Sequence, residues 1–180
     1  LAYATAILAN KGIGIQPHLV RSIQNSKTGV YTNMPLKIVS GEPFNEENLE
    51  RVRLAMIDVT QPGGTAARVG AGAPYLVAGK TGTAQVVAIK QNEKYIESRV
   101  AERHRDHALF IAYAPADNPR IALAIIAENG GHGGSTAGPI ARQILDFYLL
   151  GKLPQGAAAT PADAAAATET DTETEGDGHD

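Results

Sequence analysis

The sequence predicts an α+β protein in which an antiparallel sheet is flanked by helices. Two strongly apolar segments, residues 108–114 and 121–127, are joined by the turn-forming run Pro-Ala-Asp-Asn-Pro, a pattern typical of an antiparallel hairpin. The predicted order along the chain is helix, hairpin, helix, three strands and helix, which favours the α+β class. With 180 residues, the chain is long enough to form one domain with a buried core.

The N-terminal part of the chain predicts a helix followed by a small hairpin. Residues 1–11 have helical apolar spacing, and Gly12 ends that helix. Two short strand-like pieces follow, around residues 18–23 and 36–39. The polar run at 25–29 provides the turn between them, so we expect the two pieces to pair.

A second helix is predicted from a cap at Asn45 to about residue 60. Glu46 and Glu47 lie in its first turn, where the helix dipole favours acidic side chains. Its apolar stripe consists of residues at helical spacing: Leu49, Val52, Met56 and Val59. Residues 61–68 then form a loop that leads toward the next strand.

The C-terminal part predicts two loops and a final helix. Residues 90–107 form a polar connection that is long for a compact domain, as functional covers often are. The glycine-rich loop 130–134 holds His132, for which no catalytic role is favoured. The helix runs from about residue 136 to 150 and offers four apolar side chains for packing: Ile140, Ile144, Phe147 and Tyr148.

Acidic charge is concentrated in the last 26 residues, which hold seven acidic side chains, no Lys or Arg and no large apolar residue. We therefore expect a domain over residues 1–153 and a disordered acidic tail over 154–180. The rest of the chain carries 12 acidic and 16 basic residues without a basic cluster, which argues against nucleic-acid binding. The chain has no cysteine, and we predict no metal and no cofactor.

The residues that can carry chemistry lie in a strand predicted over 77–89. Its polar centre consists of Gly79, Lys80, Thr81, Gly82 and Thr83. Strand alternation places Lys80 and Gly82 on one face and Thr81 and Thr83 on the other. Because glycines inside a strand often mark the close approach of a ligand, this stretch predicts a strand that binds a ligand with a cation and hydroxyl groups.

Three interpretations of this centre compete. A phosphate-binding loop fails because Pro74 stands where its first glycine is required and a strand, not a helix, follows the lysine. An ordinary edge strand remains open, since lysine on an edge discourages aggregation. The third is the Lys-Thr-Gly element of penicillin-interacting serine enzymes, which is favoured by the apolar hairpin and final helix that follow.

Four runs strengthen the third interpretation. They are 79–86 (Gly-Lys-Thr-Gly-Thr-Ala-Gln-Val), 64–66 (Gly-Thr-Ala), 101–107 (Ala-Glu-Arg-His-Arg-Asp-His) and 128–131 (Glu-Asn-Gly-Gly). Over residues 1 to about 153 the chain resembles the penicillin-binding protein 2 family, the class B peptidoglycan D,D-transpeptidases of rod-shape elongation in Gram-negative bacteria. The resemblance implies a partial penicillin-binding/β-lactamase-like serine transpeptidase fold.

The resemblance also assigns roles on the strand. Lys80 is implied to direct positive potential at the substrate's terminal carboxylate and to support proton transfer near the serine. Thr81 and Thr83 are implied to offer hydroxyl groups to that carboxylate, and the Thr83 N–H to be one of two oxyanion donors. Gly82 leaves room for a stem peptide or β-lactam. The implied catalytic residues are thus Lys80 and Thr83, within a substrate-binding set of Lys80, Thr81, Gly82 and Thr83.

The serine nucleophile of this family is missing from these residues. No serine has a lysine three positions later, and no Ser-x-Asn or Ser-x-Asp element is present. We therefore expect the C-terminal half of a transpeptidase domain, inactive alone. The resemblance implies peptidoglycan stem peptides, β-lactams and a SEDS-family glycan polymerase as partners. It implies the periplasmic face of the bacterial inner membrane as the location, with an anchor outside this chain.

Some assignments stay open at this point. The charged run 103–107 suggests a metal or acid/base cluster, but a solvated, ion-paired loop beside the cleft is favoured. A non-catalytic binding or scaffold domain remains an alternative, as does part of a β-lactamase or D,D-carboxypeptidase of the same fold. The fragment interpretation predicts an exposed apolar face, whereas an intact scaffold domain predicts a stable monomer.

Overall fold

A computed structural model describes residues 1–39, 44–87 and 100–153. Its helices are α1 (Ala2–Ala9), α2 (Glu46–Asp58), α3 (Ala67–Gly70) and α4 (Ala137–Leu150). Its strands are β1 (Gly14–Ile15), β2 (Ser22–Gln24), β3 (Tyr31–Asn33), β4 (Ile38–Val39), β5 (Ala78–Ala84), β6 (His107–Ala114) and β7 (Ile121–Ala127). The chain divides into two compact units, Leu1–Arg142 and Gln143–Asp180, and the division falls inside α4.

The main sheet consists of β5, β6 and β7 in that order, and both of its ladders are antiparallel. Lys80 pairs with Ile111 across the first ladder, and Phe110 pairs with Ile125 across the second. In the described part of the chain, β5 is therefore an edge strand of this sheet. The predicted α+β class and the predicted apolar hairpin are both confirmed.

Helices α1 and α2 pack on the sheet face that carries Tyr113. Tyr113 is buried in a cluster with Met56 of α2 and with Ala78, and Leu8 of α1 packs against that cluster. Burial raises the pKa of the Tyr113 hydroxyl, because the phenolate would lose its hydration. Lys80 lies two residues after Ala78 on the same strand and so projects from this same face.

The opposite face of the sheet is centred on Phe110, which is fully buried. Its ring lies so close to Gly79 that a Cβ at that glycine would be 2.7 Å from the ring Cζ. Arg142 of α4 donates hydrogen bonds of 2.8 Å from Nη1 to the carbonyl oxygens of Val69 and Ala71. These charge-assisted bonds hold the segment that leads into β5 against the first turns of α4.

The predicted start of α2 is confirmed, because the Asn45 side chain accepts a 3.0 Å hydrogen bond from the Asn48 N–H as an N-cap does. Beyond the end of α2, Thr60 is buried. Its hydroxyl lies 3.0 Å from the Ile57 carbonyl oxygen and 2.7 Å from that of Val77. The second contact ties the end of α2 to the residue that precedes β5.

The N-terminal hairpin differs from the prediction. The turn at 25–29 is confirmed, but it joins β2 to β3. Pairing of the pieces around 18–23 and 36–39 is wrong, because β4 pairs with β1 and places Ile38 opposite Ile15. The short turn fixes the register by bringing the nearest following residues opposite β2, so the later segment pairs elsewhere.

The predicted apolar stripes of two helices are also partly wrong. In α4 the fully buried side chains are Ala137, Ala141 and Leu145. The four side chains predicted to pack are exposed instead: Ile140 41%, Ile144 38%, Phe147 41% and Tyr148 54%. In α2, Val52 is exposed while Met56 is buried. Small alanines let a helix approach its neighbours closely, and periodicity alone does not show which of two apolar faces does so.

Parts of the earlier expectations fall outside the described residues. These are the predicted tail over 154–180 and the first part of the connection 90–107. The predicted boundary between a domain over 1–153 and this tail therefore stays a prediction. At its described end that connection forms a 3₁₀-helix, Glu102–His104. Within the predicted loop 61–68, α3 begins at Ala67. Among the described helices, none has the length and apolar character required to cross a membrane.

Replacing Thr60 by valine removes a buried hydroxyl while keeping the shape of the side chain. We expect Thr60→Val to lower the free energy of unfolding by about 1–3 kcal/mol, because the Val77 carbonyl loses its partner in a buried place. Thr32→Val, at an exposed position of β3, is the control and should change that free energy by less than about 0.5 kcal/mol. Urea denaturation measures both, and equal effects would contradict the role of the Thr60 hydroxyl.

Candidate active site on the free edge of the sheet

The predicted site residues lie together on β5, which is shorter than the strand predicted over 77–89. Lys80 and Thr83 are exposed, and Thr81 and Gly82 are partly exposed. The two faces alternate as predicted. A Cβ at Gly82 would meet the Leu109 side chain at 3.2 Å, whereas the Thr81 side chain lies on the other face.

Lys80 folds back over the free edge of β5. Its Nζ donates a 2.8 Å hydrogen bond to the Thr81 carbonyl oxygen and lies 3.4 Å from the Thr81 hydroxyl. That carbonyl therefore points away from β6. Because the peptide groups of an antiparallel strand alternate between partner and free edge, the Thr83 N–H points to the same edge. The edge thus presents an ammonium group, hydroxyl groups and an outward N–H side by side.

Two loops support β5 from the face opposite Lys80. The Thr65 hydroxyl lies 3.4 Å from the Thr81 hydroxyl. Gly134 lies against the same pair, since a Cβ there would be 2.5 Å from the Thr65 carbonyl oxygen and 3.3 Å from Cγ2 of Thr81. Gly133 lies against the β5–β6 ladder at Gly82 and leaves no room for a side chain. The strand is therefore held from behind at the two central residues of the site.

The charged run 103–107 is solvated only in part, because Arg103 and His104 are exposed as expected whereas Asp106 is buried. Asp106 is 6% exposed, and its Oδ1 accepts a 3.4 Å hydrogen bond from the Val86 N–H. Its backbone carbonyl accepts a 2.9 Å bond from the Gly131 N–H. Asp106 lies just before β6, where its carboxylate meets the chain leaving β5, and it therefore connects that end of the strand to the glycine-rich loop.

His107 helps to hold the same loop in place. Its Nδ1 accepts a 2.9 Å hydrogen bond from the Asn129 N–H, so the neutral ring carries its proton on Nε2. The Asn129 side chain donates a 2.9 Å bond to the Arg105 carbonyl. His132 is exposed on the loop. Within the described ranges, no three side chains able to bind a metal ion come together.

Two cavities lie away from the candidate site. One of about 490 Å³ opens between the end of α1 and α2, and the other, of about 500 Å³, lies against α1, β1 and β7. Lys11 and Asp117 line both. In the first cavity, Arg53 donates hydrogen bonds of 2.7 and 2.5 Å to Glu50, and these hold the pKa of the Glu50 carboxyl below its usual value.

Sequence reasoning found the exposed residues of this site and missed those behind it. In the sequence analysis Thr65 was named only as part of the run 64–66, and no role was predicted for it. The glycine run 130–134 was a signal for a close backbone approach, but nothing in the sequence indicated which strand it approaches. The structure brings both to β5.

A family model described as the penicillin binding protein transpeptidase domain matches residues 1–146. The peptidoglycan D,D-transpeptidase MrdA of Acinetobacter baumannii is 45% identical over 153 residues, covering 83% of this chain and 22% of that protein. MrdA of Escherichia coli K12 is 42% identical over 152 residues, covering 84% of this chain and 24% of that protein. The chain thus spans less than a quarter of the length of these relatives.

Solved structures of penicillin-binding proteins are similar to most of the chain. Pseudomonas aeruginosa PBP2 in complex with WCK 5153 has a TM-score of 0.60 at 39% identity, covering 86% of this chain and 30% of that one. The ceftriaxone acyl-enzyme of penicillin-binding protein A from Mycobacterium tuberculosis has a TM-score of 0.61 at 27% identity, with coverages of 82% and 31%. PBP2 of Helicobacter pylori in complex with MreC has a TM-score of 0.58 at 27% identity, with coverages of 83% and 24%.

The two glycines of the site provide a test of its geometry. We expect Gly79→Ala to lower the free energy of unfolding by about 1–3 kcal/mol, because its Cβ would overlap the buried Phe110 ring. Gly82→Ala should change it by less than about 1 kcal/mol, because its Cβ meets only the movable Leu109 side chain at 3.2 Å. Urea denaturation compares the two, and a larger loss at Gly82 would show that the assigned faces of β5 are reversed.

Proposed function

The chain belongs to the penicillin-binding protein transpeptidase family, and on that premise we propose that it forms one wall of the acyl-transfer site of a peptidoglycan D,D-transpeptidase. The wall is the free edge of β5. The acyl donor is a peptidoglycan stem peptide, which lies along this edge, and β-lactams occupy the same place. The nucleophilic serine comes from a part of the protein outside these 180 residues.

The observation that carries this proposal is the arrangement of groups along that edge. The Lys80 ammonium, the Thr81 hydroxyl and the outward-facing Thr83 N–H lie within four residues on the exposed part of β5. An extended peptide can add to such an edge through main-chain hydrogen bonds. The ammonium and hydroxyl groups bind its terminal carboxylate, while the N–H points to where a carbonyl oxygen becomes negative.

The reaction proceeds in two acyl transfers. The serine oxygen attacks the penultimate D-Ala carbonyl, and its proton passes to a neighbouring base. The tetrahedral oxyanion is stabilised by the Thr83 N–H and a second donor, and it collapses when the C–N bond to the terminal D-Ala breaks and the leaving amine takes a proton. An amine of a neighbouring stem peptide then attacks the acyl-serine ester and gives up a proton. The cross-linking amide forms as the C–O bond to the serine breaks, and the serine oxygen takes up a proton.

Two features of the chain support the role of Lys80 in this sequence. Its ammonium lies on the sheet edge without burial, so it is free to turn from the Thr81 carbonyl toward an incoming carboxylate. Gly82 follows on the same face and adds no side chain that would block the donor. The Mycobacterium tuberculosis relative, described as a ceftriaxone acyl-enzyme complex, supports an acyl-enzyme route for the family.

The family also guides the proposal of partners and location. We propose that the complete protein acts at the periplasmic face of the bacterial inner membrane, because its substrate is the peptidoglycan there. A SEDS-family glycan polymerase is the proposed source of new glycan strands. The Helicobacter pylori relative is in complex with MreC, which supports a cell-wall assembly of several proteins.

The half-site proposal predicts that these 180 residues alone form no covalent adduct with penicillin. A labelled penicillin mixed with the isolated chain should leave its intact mass unchanged in mass spectrometry, since the chain has no Ser-x-x-Lys element. The complete protein should gain the mass of one penicillin. An adduct on the isolated chain would contradict the proposed division of the site.

The role of Lys80 predicts a large loss of acylation in the complete protein. We expect Lys80→Met to slow acylation by a fluorescent penicillin about 10²–10³-fold. The carboxylate loses its charged partner, and proton transfer near the serine loses the support of the lysine. Lys27→Met, in the exposed turn between β2 and β3, removes a lysine elsewhere and is the control. Equal rates for Lys80→Met and wild type would rule out the proposed role.

A further inference from the structure

We infer that Gly133 is a positioning residue for the oxyanion donor. Its backbone holds the peptide plane between Gly82 and Thr83 at the angle that aims the Thr83 N–H at the reacting carbonyl. The inference rests on the proposed function, and it assigns to the glycine-rich loop a task that neither the motifs nor the fold class indicates. It is carried by the contact between Gly133 and the β5–β6 ladder.

The first step is the geometry of one peptide unit. The Gly82 carbonyl and the Thr83 N–H belong to the same planar group, so they point in opposite directions and rotate together. The Thr83 N–H faces the free edge of β5, and the Gly82 carbonyl therefore faces β6. Any push on the inward carbonyl turns the outward N–H through the same angle.

The second step is what touches that carbonyl. A Cβ built on Gly133 would lie 2.6 Å from the Gly82 carbonyl oxygen, 3.0 Å from the Gly82 nitrogen, and closer still to the carbonyl oxygen of Leu109. Real Cβ atoms do not approach carbonyl oxygens this closely. These backbone atoms form the rung of the ladder at the site itself. Gly133 is therefore in direct backbone contact with the inner end of the Gly82–Thr83 peptide.

The third step is that the loop around Gly133 is firmly held. The Gly138 N–H donates a 2.8 Å hydrogen bond to the Gly133 carbonyl, which fixes Gly133 to the first turn of α4. The Thr136 hydroxyl donates a 2.7 Å bond to the Gly130 carbonyl and closes the loop. The Gly131 N–H bonds the Asp106 carbonyl at 2.9 Å. Because these bonds hold the loop, an added side chain at residue 133 presses on the Gly82 carbonyl as well as on the loop itself.

The consequence for catalysis is specific. Turning the Gly82–Thr83 peptide moves the N–H away from the oxyanion, which forms only during acylation. Because this rotation leaves the Cα atoms of Gly82 and Thr83 in place, the Lys80, Thr81 and Thr83 side chains that bind the carboxylate keep their positions. A change at residue 133 should thus reduce the acylation rate constant while leaving the non-covalent dissociation constant of the β-lactam nearly unchanged.

The test is Gly133→Ala in the complete protein, with both constants measured by stopped-flow acylation with a fluorescent penicillin. We expect the acylation rate constant to fall about 10–100-fold, and the dissociation constant to change less than about threefold. Gly29→Ala is the matched control. Gly29 lies in the turn at 25–29 with a φ of 72° and has no atom within 4 Å of an added Cβ, so alanine there strains the backbone without touching β5.

A second pair of variants loosens the loop without adding volume at Gly133, and it decides the question if Gly133→Ala does not fold. Thr136→Val removes the hydroxyl that closes the loop, and we expect it to lower the acylation rate constant about 3–10-fold. Thr136→Ser keeps the hydroxyl and should restore the wild-type rate. Rescue by serine separates loss of this hydrogen bond from loss of packing.

The outcomes separate this inference from the proposed function. If the wild-type complete protein is not acylated, the proposed function is wrong. If the wild type is acylated, an unchanged rate constant in Gly133→Ala overturns the inference alone. So does an equal fall in Gly29→Ala, or a rate constant in Thr136→Val equal to that of Thr136→Ser. A fall confined to Gly133→Ala and Thr136→Val supports the inference.

Discussion

The hydrogen-bond ladder between β5 and β6 is the constraint on which the site depends. An antiparallel strand turns every second peptide toward its partner, and the others remain toward the free edge. The ladder at Gly82 therefore decides that the Thr81 carbonyl and the Thr83 N–H face outward. A slip by one residue would turn these groups inward and exchange the faces of Lys80 and Thr81. The register of the β5–β6 ladder therefore determines which chemical groups the outer edge of β5 presents.

Several contacts in the described structure hold β5 in that register. Buried Thr60 ties the end of α2 to the residue before β5. On one sheet face Tyr113 packs with the first two helices, and on the other Phe110 fills the space left free by Gly79. The strand is thus fixed at its start and on both faces, while its outer edge has no partner strand among the residues that the structure describes. An edge strand left this open is an aggregation risk unless it is charged or covered, and here Lys80 supplies the charge.

Local signals allowed much of this fold to be predicted. Asn45 predicts the start of α2, the two apolar segments predict β6 and β7, and the Lys-Thr-Gly element indicates the strand of the site and the family. The predictions that were wrong concern contacts between segments that are distant in the sequence. The sequence does not show that β1 and β4 pair across the small hairpin, because each is only two residues long. Nor does it show that α4 buries its alanines, or that Asp106 is internal. Gly133 contacts a strand about 50 residues away in sequence, and no periodicity encodes such a contact.

The pairing of β1 with β4 has a practical consequence for engineering. Besides these two strands, a 2.8 Å bond from the Gln16 N–H to the Lys37 carbonyl holds the entry and exit of the segment between them close together. Leu19, within that segment, is fully exposed. A segment that leaves and rejoins a fold at neighbouring points tolerates grafting, since a longer loop adds little closure entropy. A fluorophore or affinity tag can be placed in the exposed part of this segment, where it does not disturb the β5–β6–β7 sheet or the outer edge of β5.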